Sequence, residues 1–113
     1  LLLRASGEHS GSEYDLEALM TGADGGVPAG SELAAFAEAL VAADPDQLAT
    51  AILNLRQAVG DAGWVDAAGV AATFNAIDRV ADSTGIPLEP AKVDLSADLR
   101  AAIGLDAFRD GRA

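Results

Sequence analysis

From residue 64 to 85 the chain reads WVDAAGVAATFNAIDRVADSTG, and at the helical period its apolar members spread over one broad arc. Gly69, Val70, Ala72, Phe74, Ala76, Ile77, Val80, Ala81 and Thr84 fall on that arc, with Asp66 and Thr73 inside it toward its start. Asn75, Asp78, Arg79 and Asp82 share the opposite side. An arc this wide requires burial against several neighbours. The stretch therefore predicts the long central helix, about residues 64–84, of a small all-α bundle. Ala and Gly in its first half permit close approach of a partner helix, and Phe74, Ile77 and Val80 supply bulk. Gly85 fits the left-handed residue that ends a helix, and Pro87 prevents the helix from resuming.

The rest of the chain supplies shorter helices. In 12–21, SEYDLEALMT, Ser12 is the expected N-cap, with Leu16, Leu19 and Met20 forming a narrow apolar stripe. GADGGVPAG, residues 22–30, reads as a flexible loop. Ser31 is expected to cap a helix over 31–43 that carries Leu33, Phe36, Ala37, Leu40 and Val41 at helical spacing. Asp44 followed by Pro45 is a strong helix start, and a third helix runs to Val59 with Gly60 as its stop. So short a connection predicts that the two helices pack antiparallel. Residues 61–63 are expected to form a tight turn into the central helix. IPLEPAKVDL, residues 86–95, reads as extended across the bundle, and Ser96 begins a last short helix with Leu99, Ala102 and Ile103 inward. Residues 106–113 read as a fraying tail that Leu105 and Phe108 would anchor. The domain expectation is a single helical unit over 1–113, standing alone or as the C-terminal part of a longer chain.

Composition narrows the chemistry. Half of the 113 residues are hydrophobic but only 4% are aromatic, so Ala, Leu, Val and Ile must build the core, which suits close-packed helices. The formal net charge of −11 lacks the cationic footprint that nucleic acids and anionic membranes require. There is no Cys, which rules out thiol catalysis and Cys-ligated metal within the chain, and a single His rules out a His-rich metal site. GADGG lacks the spacing of a phosphate loop, and no strand precedes it. No cofactor or metal is expected. No apolar run reaches the roughly 20 residues of a membrane span, and the opening LLLR is too short for a signal peptide, so a cytoplasmic location is the expectation.

The polar side of the central helix is the one feature with chemical content. Asn75 and Arg79 are four residues apart, as are Asp78 and Asp82, and Arg79 and Asp82 are three apart. The simplest reading is a solvated face with a local ion pair; the sharper one is an Asn–Arg–Asp network that fixes how the helix docks. His9, in the polar stretch ASGEHSG, reads as a solvated loop residue that would need partners from elsewhere to act as a base.

The pattern Phe74-Asn75-x-x-x-Arg79-x-Ala81-Asp82-x-x-Gly85-Ile86-Pro87 resembles the C-terminal helix of alkylhydroperoxidase-like proteins, which group with the carboxymuconolactone decarboxylases. The layout of 44–88, a helix, a short turn and the helix that carries Phe-Asn, is similar to theirs. The resemblance implies an all-α bundle that assembles into dimers, trimers or hexamers. In the peroxidase branch it implies a Cys-x-x-Cys pair with a Glu and a His on preceding helices. With no Cys here and the only His at position 9, those reactive groups do not carry over. Asn75, Arg79 and Asp82 do, and the resemblance implies architectural or interface roles for them, with Phe74 a further structural or interface candidate.

Three functions remain open. The first is a structural or oligomerisation domain without thiol chemistry. The second is a carboxylate-based decarboxylase or lyase, with Asp78, Arg79, Asp82 and His9 as candidates, which requires a pocket and a shifted pKa. The third is a small acidic module that binds a basic protein and loses affinity as salt rises.

Overall fold

The computed structural model describes residues 2–108, and every described element is helical. Helix α1 (Leu2–Ser10) leads to a short α2 (Leu16–Met20), then α3 (Gly30–Ala42), the long α4 (Pro45–Thr84), a single turn α5 (Pro90–Val93), α6 (Ala97–Ala102) and a 3-10 turn at Leu105–Phe108. The all-α class and the long helix thus agree with the sequence. The tail expected to fray falls mainly on 109–113, which lie outside the described residues.

The organising unit is a helical hairpin. α3 and the first arm of α4 are joined by Ala43 and Asp44 alone. Ala43 takes φ 55°, a left-handed conformation that reverses the chain at once. Phe36 and Ala39 from α3 meet Ala51 and Leu55 from α4, and these are the buried apolar residues of the described chain. Leu33, Leu48 and Ile52 pack around them.

Asp44 starts α4 as its sequence predicts. Its carboxylate accepts the backbone N–H of Asp46 at 3.0 Å and of Gln47 at 3.1 Å, and the Gln47 amide returns to it at 2.8 Å. These bonds, led by those from Gln47, hold the Asp44 carboxyl below the ordinary aspartate value of 3.8. A folded-state pKa below the unfolded one gives stability that is present above 3.8 and is lost as pH falls through the folded value. Asp44→Ala is therefore expected to lower Tm by about 5 °C at neutral pH. The gap from wild type should narrow in thermal melts taken progressively below pH 3.8; a gap independent of pH would mean that the charge of the cap contributes nothing.

Gly60 ends the first arm. The helical hydrogen-bond pattern runs through Pro45–Thr84, but Gly60 has φ 75° and ψ 175°, so α4 is two arms, 45–59 and 61–84, joined at a kink. The turn expected over 61–63 contracts to that one residue, because Gly supplies the whole reversal. Arg56 brackets the kink: its Nε donates to Asp61 Oδ1 at 2.6 Å, and its guanidinium lies 5.1 Å from the Trp64 ring centre. The Arg56 bond holds the Asp61 carboxyl low and the guanidinium pKa up. Gly63 lies so close to Val59 that a Cβ there would meet the Val59 side chain at 2.8 Å. The kink folds the start of the second arm back, so Trp64, Ala67 and Ala68 pack against the hairpin core.

Gly85 ends the second arm as expected, at φ 65°, with its N–H and that of Ile86 both donating to the Ala81 carbonyl, at 2.9 and 3.2 Å. Several caps differ from the sequence reading. Asp15, not Ser12, caps α2, because its carboxylate accepts the Ala18 N–H. α3 begins at Gly30 with Ala29 as its cap residue, and the Ser31 hydroxyl turns instead to Glu32. Gly30 tolerates no Cβ, which would meet the Asp24 carbonyl of the preceding segment. Residues 86–95 are not wholly extended: Pro90, well suited to a first helical turn, starts α5. Ser96 precedes α6 as expected but makes no cap bond with its side chain. It is buried, donates to the Lys92 carbonyl at 2.7 Å and is met by the Arg100 guanidinium.

Candidate functional site

Two faces of the 61–84 arm carry the residues singled out from the sequence, and the fold treats them opposite to expectation. The inward side starts with Trp64, Ala67 and Ala68 on the core, and Ala71 and Asn75 continue it as half-buried residues. The outward side holds Val70, Phe74, Ile77 and Val80, each 56–61% exposed. The central helix is therefore not covered all round. The hairpin is short, and only the first turns of the arm reach it. Everything beyond about Ala71 runs past the core with its apolar arc in water.

The Asn–Arg–Asp stripe is partly assembled. Arg79 Nε donates to Asn75 Oδ1 at 2.8 Å, one helical turn away. Among the described residues Arg79 makes no ion pair with Asp82 or Asp78, since the guanidinium is turned back toward Asn75. Arg79, Asp78 and Asp82 are exposed. His9, expected in a loop, lies instead in the last turn of α1 and is exposed. No hydrogen bond among the described residues joins His9 to Asp78, Arg79 or Asp82, and none of the four lines a described cavity.

The largest of the cavities described, about 790 Å³, is an open groove elsewhere, between the α1–α2 region and α6, with Glu8, Glu13, Asp15, Glu17 and Asp98 on its walls. No group of three or more His, Asp or Glu side chains among the described residues is arranged to hold a metal. No described helix is long and apolar enough to cross a membrane.

The outward stripe has one further property. Its two hydroxyls are already satisfied: Thr73 donates to the Gly69 carbonyl at 2.8 Å and Thr84 to the Val80 carbonyl at 2.6 Å. Covering the stripe strands no donor, so its burial carries no penalty for an unmade hydrogen bond. Helical periodicity predicts Val70, Phe74, Ile77 and Val80 to be buried, and the fold exposes them. The periodicity of the stretch carries no signal of their exposure, since an apolar arc reads the same whether or not the described residues cover it.

Set against protein-family models, curated proteins and solved structures, the chain matches none.

Proposed function

We propose that this protein is an assembly domain: a helical unit without thiol chemistry that associates with copies of itself through the outward face of the 61–84 arm. The observation that carries this reading is the exposure of Val70, Phe74, Ile77 and Val80 in a continuous stripe on one helix. Scattered exposed apolar side chains are ordinary, but a contiguous patch marks an interaction surface.

Size supports it. The chain exposes 8313 Å², whereas a compact monomer of its mass would expose about 5,800 Å². Its radius of gyration is 15.3 Å, against about 13 Å for a compact chain of this length. An oligomer of an alkylhydroperoxidase-like kind would bury the part of that surface that lies on the stripe. Phe74, Asn75 and Arg79 keep the roles the resemblance gives them, Phe74 in the contact and the Asn75–Arg79 pair bracing the helix behind it.

Sedimentation equilibrium tests the reading. Wild type is expected at a multiple of the 11.4 kDa chain mass. Phe74→Glu, which places a charge in the contact, should weaken association by at least about 30-fold, the loss typical of a central interface residue, while leaving helical circular dichroism unchanged. A wild-type protein that stays at 11.4 kDa at high concentration removes the proposal.

A further inference from the structure

Arg56, Asp61 and Trp64 meet across the kink at Gly60. Going beyond the assembly reading, we infer that the 61–84 arm is a hinged lever: it opens about Gly60 as a unit, and Arg56 is the clasp that holds it closed on the hairpin.

Three observations point there. The first is the backbone. Gly60 has φ 75° and ψ 175° between two helical arms, and a Cβ added to it would meet nothing within 4 Å. No described neighbour locks that conformation, so the kink is held by what the arm touches beyond it. Glycine passes between this region and the helical one without a side-chain clash, and a hinge needs only a few residues that absorb such a change.

The second is how little of the arm is held. Trp64, Ala67 and Ala68 rest on the hairpin core, all only half-buried. Val70, Phe74, Ile77 and Val80 are exposed. The fully buried centre, Phe36, Ala39, Ala51 and Leu55, comes from α3 and the first arm alone. A segment with few buried contacts opens at lower free energy than the core it leans on, so the arm can lift while the hairpin stays folded.

The third is the clasp. Arg56 stands on the first arm and both its partners stand on the second. Its Nε donates to Asp61 Oδ1 at 2.6 Å, and its guanidinium lies 5.1 Å from the Trp64 ring centre. In a straight helix residue 61 would lie about 140° around from residue 56, and residue 64 about 12 Å further along the axis. Neither contact survives straightening, so Arg56 favours the closed form alone, which is what a shift between two conformations requires. Opening carries Trp64, Ala67 and Ala68 off the core and presents them as a second apolar face.

Distances between labels test this. Val41→Cys on α3 and Ser83→Cys near the end of the arm are both at exposed positions, in a chain with no native cysteine. Both sites are spin-labelled in the full chain, and the product is diluted into excess unlabelled protein, so that single chains are read whether or not copies associate. Pulsed dipolar spectroscopy should give one main distance and a minor, longer one. Arg56→Ala should raise the longer population at least about three-fold, the effect of losing one exposed cation–π contact and one surface ion pair. Asp61→Asn, which keeps the ring contact, should raise it less. Trp64 emission alone would not decide, because removing Arg56 uncovers the ring where it stands. A single distance that Arg56→Ala leaves unchanged would overturn the inference. A longer population that appears only with loss of helical circular dichroism would overturn it too, since the hairpin would then be unfolding with the arm. Sedimentation, which tests the assembly reading, is untouched by either result.

Discussion

Leu55→Ala is expected to bring the chain to the edge of unfolding. Leu55 is fully buried, and its companions in the core are Phe36, Ala39 and Ala51. Two of those three are alanines, so Leu55 and Phe36 supply the bulk of the fully buried centre, with Leu33, Leu48 and Ile52 only partly buried around it. Truncating a buried leucine removes its transfer free energy and leaves a cavity, about 2–5 kcal/mol together. The hairpin backbones are held by a reversal of only two residues, Ala43 and Asp44, and have little freedom to close the void. The loss should therefore fall at about 3–4 kcal/mol, a large share of the roughly 5–15 kcal/mol that stabilises an ordinary domain. Leu53 provides the control. It lies two residues away on the same helix but is more than half exposed, so Leu53→Ala should change stability by no more than about 0.5 kcal/mol. Urea denaturation of both variants decides the matter. Equal losses would mean that the hairpin does not pack through the Leu55 face.

What could be read from the chain and what could not divide along a physical line. Local backbone chemistry was legible. Asp44–Pro45 starts a helix wherever it occurs with a free N-terminal turn, Gly60 and Gly85 take positive φ, and Pro87 forbids continuation. The Asn75–Arg79 bond was also legible, because residues four apart on a helix are neighbours whatever surrounds them. The Arg79–Asp82 pair was an equally good candidate and did not form; the guanidinium donates through Nε to Asn75 instead. The caps of α2 and α3 were misplaced for a similar reason. Ser12, Asp15 and Ser31 are all competent caps, and tertiary contacts at Gly25 and Gly30 decide where each helix begins. Least legible was the destination of the 61–84 arm. Helical periodicity says that an arc is apolar, and so that something should cover it; it does not say whether the cover lies in the same chain. For Trp64, Ala67 and Ala68 the described residues supply the cover, and for Val70, Phe74, Ile77 and Val80 they do not. The carboxylates and His9 were candidates by residue type alone, and the fold leaves them dispersed and exposed.

Gly60→Ala is expected to change the shape of the protein more than any other single substitution. At φ 75° and ψ 175°, Gly60 occupies a region essentially closed to residues with a Cβ. Alanine held there would be strained by about 1–3 kcal/mol. The helical alternative is open to it, and in a helix interior alanine is favoured over glycine by about 1 kcal/mol. Both effects push toward straightening, by about 2–4 kcal/mol together. Opposing them is the packing of Trp64, Ala67 and Ala68 on the hairpin, all only half-buried. A fully buried large apolar side chain contributes about 1.5–3 kcal/mol, so one half-buried Trp and two alanines together oppose by roughly 2 kcal/mol. The Arg56–Asp61 pair is exposed and adds little. Straightening should therefore win, fusing the two arms into one helix of 40 residues. At 1.5 Å per residue such a helix is about 60 Å long, where the present molecule measures 41 Å in its longest dimension. Small-angle scattering should show the longer particle, with a radius of gyration above 15.3 Å. Trp64 is the only tryptophan, so its emission reports the same event without labels. It should shift to the red and become open to acrylamide quenching as the ring leaves the core. A variant that melts earlier but keeps its dimensions and its Trp64 emission would show that core packing, and not Gly60, sets the kink.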